Sequence, residues 1–195
     1  MADRRAALVV GVVLAVSLLA PLSAGAQEAV TVYAGPFSGN HWENFFLDPG
    51  GIDYEDAGLV AVAPSWRVIR LRPGLSLEVE GQVVRHFGDQ RHWELNGLMA
   101  ARYRFTHESH PLRSSVAFGL GPSWASQRPP LERQASENGR TARWLVYWYL
   151  EAAVGHRDWG SWSAILRLHH RSGAFGWVAA EGGSNVPALG VRRRF

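Results

Sequence analysis

The stretch WELNGLMAARYRF, residues 93–105, decides the fold. Trp93, Leu95, Gly97, Met99, Ala101, Tyr103 and Phe105 fall on one side of an extended chain. Glu94, Asn96, Arg102 and Arg104 fall on the other. Alternation with period two is the signature of a strand. In a water-soluble sandwich the apolar side packs inward; in a membrane barrel it meets lipid and the charged side lines the lumen. Aromatic rings near both ends of the stretch favour the membrane, because Trp and Tyr settle at headgroup depth.

Working outward, the same pattern predicts strands near 29–36, 57–70, 74–86, 113–126, 142–155, 161–172 and 186–195, which with 92–105 makes about eight, an even number as bacterial barrels require. On 74–86, Ser76, Glu78, Glu80 and Gln82 share a side opposite Leu77, Val79 and Val83. Trp144, Val146, Trp148, Leu150, Ala152 and Val154 form an unbroken apolar side. Pro64 inside a strand predicts a bulge or a bend. Tight connections at 72–74, 107–111 and 158–160 alternate with longer ones at 37–56, 127–141 and 173–185, the exception being 87–91. Short turns on one side and long loops on the other are the asymmetry of outer-membrane barrels.

Composition agrees. The chain has 195 residues with 9 Trp, 21 Gly and no Cys, so no disulfide supports the fold. Twenty basic against 17 acidic side chains, net +3, is too balanced to argue for a nucleic-acid partner. Arg4 and Arg5, an apolar run from Ala6 to about Leu22 and the small residues Ala24-Gly25-Ala26 read as a cleaved secretory signal. The expected organisation is thus a signal peptide over 1–26 and one barrel domain over 27–195, exported to the outer membrane. The fold class is all-β: an eight-stranded antiparallel transmembrane barrel. Eight strands leave an interior filled by side chains, which excludes a general porin. Glu78, Glu80, Glu94, Arg102, Arg104 and Glu151 are expected to pair inside it. Gly119 and Gly121 suit close packing there.

Candidate chemistry lies near the end of the chain, in LHHRSGAF, residues 168–175. Trp162, Ala164, Leu166, Leu168, His170 and Ser172 alternate onto the lipid-facing side, while Arg167, His169 and Arg171 face the lumen. Two residues apart on one face, His170 and Ser172 have Cβ atoms roughly 6–7 Å apart, within reach of the pairing that activates a serine nucleophile. A third group must orient the imidazole, and Glu181 in the following connection is the candidate. His169 reads as a hydrogen-bonding residue of the lumen. Arg171, Arg192 and Arg194 are weighed as contacts for lipid phosphates, the last two better placed as lumen or rim charges. His41, His86 and His92 show no metal-ligand spacing, so neither a metal nor another cofactor is expected.

"RLHHRSGAF", ending the penultimate strand, and "LGVRRRF", ending the chain on Phe195, resemble the lipid A 3-O-deacylase (PagL) family and its acyloxyacyl-hydrolase-like relatives. The resemblance implies an eight-stranded outer-membrane barrel carrying a Ser-His-Glu triad on its outer wall, with Ser172 as nucleophile, His170 as base and Glu181 as orienting acid. Where the family carries an asparagine after its serine, this chain has Gly173. Backbone N–H groups of Gly173 or Ala174 are then the candidates for the oxyanion hole. The partner implied is lipid A within lipopolysaccharide, and more generally outer-membrane lipid, with a homodimer as a further candidate assembly. The alternative from the residues alone is a non-catalytic barrel, structural or adhesive, that works through its long loops.

Overall fold

The computed structural model describes residues 28–106, 110–136, 139–173 and 183–195. The candidate signal segment lies outside them. Eight strands, β1 (Ala29–Ser38), β2 (Tyr54–Arg72), β3 (Leu75–Gly88), β4 (Trp93–Arg104), β5 (Leu112–Ala125), β6 (Trp144–His156), β7 (Trp162–Ser172) and β8 (Gly183–Arg194), pair antiparallel in chain order. β8 returns to β1, so the sheet closes on itself and no edge is left unpaired.

Strand β4 bears out the alternation. Glu94, Asn96, Leu98, Ala100 and Arg102 are buried, and Trp93, Leu95, Met99 and Tyr103 stand exposed on the outside. The exposed set continues round the wall through Phe118, Leu120, Leu150, Val154, Leu166 and Leu189. Such a continuous apolar wall has no partner in water; it is the surface a bilayer covers. Aromatic rings mark both rims, Trp93 and Trp144 at one and Phe105, Trp159 and Phe195 at the other. Arg193, which follows Leu189 and Val191 on the outer face of β8, lies over the rings of Trp162 and Phe195, with its guanidinium carbon 5.5 and 5.0 Å from their centroids.

The lumen is packed with paired charge. Arg167 reaches Glu80 at 2.7 Å and Glu151 at 2.6 Å, Arg102 reaches Glu78 at 3.2 Å and Glu151 at 2.8 Å, and Arg192 reaches Glu78 at 3.0 Å. Tyr33 and Tyr149 place their rings against the Arg167 guanidinium at 4.7 and 3.9 Å. Gly119 sits within this crowding, since a Cβ there would collide with Leu98 and the Tyr149 ring. Gly119→Leu is accordingly expected to cost about 1–3 kcal/mol by overpacking, read as a lowered urea midpoint of the refolded barrel.

The tight connections fall at 73–74, 105–111 and 157–161, and 39–53, 126–143 and 173–182 are the long ones. By the barrel rule the long side faces out of the cell. A short helix on that side, α2 (Pro130–Gln134), tucks Leu131 and Glu132 into the barrel mouth. Glu132 accepts from Arg171 at 2.6 Å, from Thr141 at 3.0 Å and from Ser184 at 3.1 Å. Burial pushes the Glu132 carboxyl upward against the opposing pull of Arg171. Arg171 is fully buried in this mouth, which corrects its weighing as a lipid-phosphate contact.

Pro64 behaves differently from expectation. It interrupts the β2–β3 ladder, because it has no N–H to give, yet the register is the same on both sides of it (Val62↔Val83, Ser65↔Glu80). The irregularities in β2 lie further on, between Arg67 and Ile69 and between Arg70 and Arg72. The antiparallel partner Gly81 leaves open space beside the ladder, so the ring is accommodated without a slip.

Candidate active site on the outer wall

The site is built from three adjacent strands. Register pairs Trp148 of β6 with His170 of β7, and His170 with Asn185 of β8. Side chains directly opposite on one face of a sheet lie close enough to touch. Here they do: the His170 ring stacks on Trp148 with centroids 4.4 Å apart, and Trp42, beside the short helix α1 (Asn44–Leu47), meets Trp148 edge-on at 5.6 Å. The imidazole is thereby buried although it points out of the barrel. Ser172 lies two residues on along the same face, partly exposed, between Val146 and Gly183 in the sheet register.

His170 Nδ1 lies 2.6 Å from Asn185 Oδ1, and Asn185 Nδ2 donates to the Asn40 carbonyl at 2.8 Å. The Asn40 carbonyl can only accept, so it fixes the amide with its oxygen toward the imidazole. That oxygen in turn requires a hydrogen on Nδ1 and leaves Nε2 with a bare lone pair, the tautomer a general base needs. Glu43, at the start of α1, exerts its field on the same ring and keeps Oε2 buried without a hydrogen bond.

Of the residues expected from sequence, the structure thus places His170 and Ser172 on one face at the long-loop end, with Gly173 directly after. Among the described residues no hydrogen bond joins Ser172 to His170. Glu181 and Ala174 lie outside the described residues. Asn185 and Glu43 were missed. Asn185 sat in a stretch rich in Gly, Ser and Asn that reads as loop, and only the β7–β8 register brings it opposite His170. Glu43 had no signal at all in the sequence, because its loop reaches the site in three dimensions alone.

His169 occupies the opposite face, with Nδ1 3.1 Å from the Tyr33 hydroxyl and Nε2 3.2 Å from Glu94. It belongs to the lumen, as its place in the alternation predicted.

No family model matches this sequence. Nor does any curated protein match it. Among solved structures the chain is similar to the outer membrane enzyme PagL, with a TM-score of 0.57 at 12% identity, over 86% of this chain and 99% of that one. It is also similar to Neisserial surface protein A (NspA), with a TM-score of 0.51 at 12% identity, over 87% of this chain and 97% of that one.

Proposed function

The chain is a closed eight-stranded barrel of the outer-membrane type, and we propose that it is a serine esterase which removes an ester-linked acyl chain from lipid A in the outer leaflet. The observation that carries the proposal is the 2.6 Å contact between His170 Nδ1 and Asn185 Oδ1, which leaves a proton-accepting nitrogen on the wall that meets acyl tails. The resemblance of the surrounding motif to the lipid A deacylase family supports the substrate class.

In this reading an acyl chain lies along the apolar wall and its ester sits beside Ser172. His170 Nε2 takes the hydroxyl proton as Ser172 Oγ attacks the carbonyl carbon. The developing oxyanion is met by backbone N–H groups after the serine, from Gly173 or Ala174. The imidazolium returns its proton to the departing sugar hydroxyl, leaving an acyl-enzyme. Water, deprotonated by the same nitrogen, then releases the fatty acid and restores the serine. Asn185 holds the ring and its tautomer throughout, and the field of Glu43 stabilises the positive charge the ring acquires.

The test is hydrolysis of a nitrophenyl acylate by the purified, refolded protein and its Ser172→Ala variant. Hydrolysis that falls by on the order of 10⁴-fold or more in the variant is expected. Equal rates in both would remove the enzyme and leave the non-catalytic barrel. One observation favours that second reading: the group on Nδ1 is a neutral amide where a carboxylate would stabilise the imidazolium better.

A further inference from the structure

The lumen just below the long-loop mouth holds a cluster that the acyl-transfer site does not use. His86 near the end of β3, His92 just before β4 and Glu94 within β4 are all buried, and each offers a ligand atom within 4.8 Å of the others'. The rings of His86 and His92 stack at 4.0 Å with 11° between their planes. Two features of this arrangement are unsatisfied without a cation.

First, both ring nitrogens of His92 are buried and make no hydrogen bond, and the Oε1 of the neighbouring Gln90 is in the same condition. Buried polar groups are almost always partnered, so three orphan atoms side by side need a cause. Second, a chain of hydrogen bonds sets the protonation of His169. The amide nitrogen of Gln82 is spent on Glu80 at 2.7 Å and Tyr147 at 3.2 Å, so its oxygen takes the Tyr33 hydroxyl hydrogen at 3.1 Å. The Tyr33 oxygen then accepts from His169 Nδ1 at 3.1 Å. That leaves His169 Nε2 as a lone pair, 3.2 Å from Glu94 Oε1, itself an acceptor. Two acceptors face each other there, and Nε2 makes no hydrogen bond.

We propose that this cluster binds one divalent transition-metal ion of the zinc type, with His86, His92 and Glu94 as ligands and His169 as the fourth donor. Imidazole and carboxylate are the donor types such an ion takes, in a tetrahedral set at about 2.0–2.2 Å. Ligand atoms around it stand about 3.4 Å apart, so the cluster must contract. His92 provides the movement, since turning its ring breaks no hydrogen bond and takes it out of the stack. His86 Nε2 now lies 2.8 Å from Glu94 Oε2, and Gln90 Nε2 lies 3.4 Å from His86 Nδ1. Binding moves the His86 proton from Nε2 to Nδ1, and a flip of the Gln90 amide turns its orphan oxygen to receive it. No proton needs to leave the protein.

The test uses the refolded full-length mature chain in detergent, stripped of metal and titrated with Co²⁺ as an optical probe and with Zn²⁺ in competition. One equivalent of Co²⁺ is expected to give the visible absorption of a tetrahedral ion, which Zn²⁺ abolishes. His92→Ala is expected to weaken binding at least about 100-fold. Since the His92 side chain makes no hydrogen bond, circular dichroism of that variant should match the parent. His41→Ala, in the exposed loop between β1 and β2, should bind as the parent does. No tetrahedral spectrum in the parent, undiminished binding in His92→Ala, or equal loss in His41→Ala would each overturn the proposal. A His169 doubly protonated against Glu94 with no metal bound is what the first of those results would mean.

Discussion

Asn185→Leu is expected to lower ester hydrolysis by on the order of 10³- to 10⁴-fold, the scale on which disturbing the histidine tautomer slows a serine triad. Leucine matches the branched outline of asparagine but accepts nothing from Nδ1. The His170 hydrogen is then free to sit on Nε2, where it blocks proton transfer from Ser172. Asn185→Asp separates orientation from mere packing. Its carboxylate accepts from Nδ1 and stabilises the imidazolium, but it gives up the hydrogen bond to the Asn40 carbonyl and brings an oxygen against it. The two effects are comparable, each about 1–2 kcal/mol, so the rate should remain within about tenfold of the parent. The pH profile adds a readout that packing would not move: the aspartate should shift the acidic limb of the rate to higher pH, because its charge favours the protonated ring. Equal rates for the leucine, aspartate and parent proteins would show that Asn185 orients nothing.

The second large effect concerns the barrel interior. Arg167→Met is expected to destabilise the refolded protein by about 3–5 kcal/mol, because it leaves Glu80 buried without its cation and Glu151 with Arg102 alone. Both carboxylates are almost wholly inaccessible to water. Adding Glu80→Gln to Arg167→Met should recover much of the loss, since Glu151 keeps Arg102 and the cost arises from the unpaired charge of Glu80 rather than from the arginine contacts themselves. Urea unfolding in detergent micelles reads both, with the midpoint moving and the slope unchanged. A midpoint for Arg167→Met equal to that of the parent would mean that water reaches the lumen and screens the pair.

The barrel was legible because its two faces meet different solvents. Hydrocarbon outside and a narrow, charge-filled lumen inside impose opposite demands on alternate residues, so strands such as 93–105 carry the pattern without ambiguity. Boundaries were less legible where pairing overrides local preference. β8 begins at Gly183, inside a run of Gly, Ser and Asn that favours turns. Pro187 follows within the strand, and its missing donor falls where the β1–β8 ladder has a gap, between Leu189 and Asn185. Pro64 likewise misleads, for its cost is met by an interrupted ladder rather than a bulge.

The site divides in the same way. His170 and Ser172 could be assigned to the outer face by counting along one strand. Asn185 could not, since its position depends on how β7 and β8 are registered, and neither could Trp42 or Glu43, which come from a loop far away in sequence. The His86, His92 and Glu94 cluster shows the reverse: the spacing matches no familiar ligand pattern, yet closure of the β3–β4 hairpin brings the three together.

The central claim is that the outward serine and its imidazole cut an acyl ester in the membrane that surrounds them. The most direct measurement is mass spectrometry of lipid A from Gram-negative cells expressing the protein or its Ser172→Ala variant. The account predicts lipid A species lighter by one acyl chain with the parent protein and none with the variant, both being present as folded barrels at equal amounts. An unchanged acyl pattern in cells that carry the folded parent protein would contradict it.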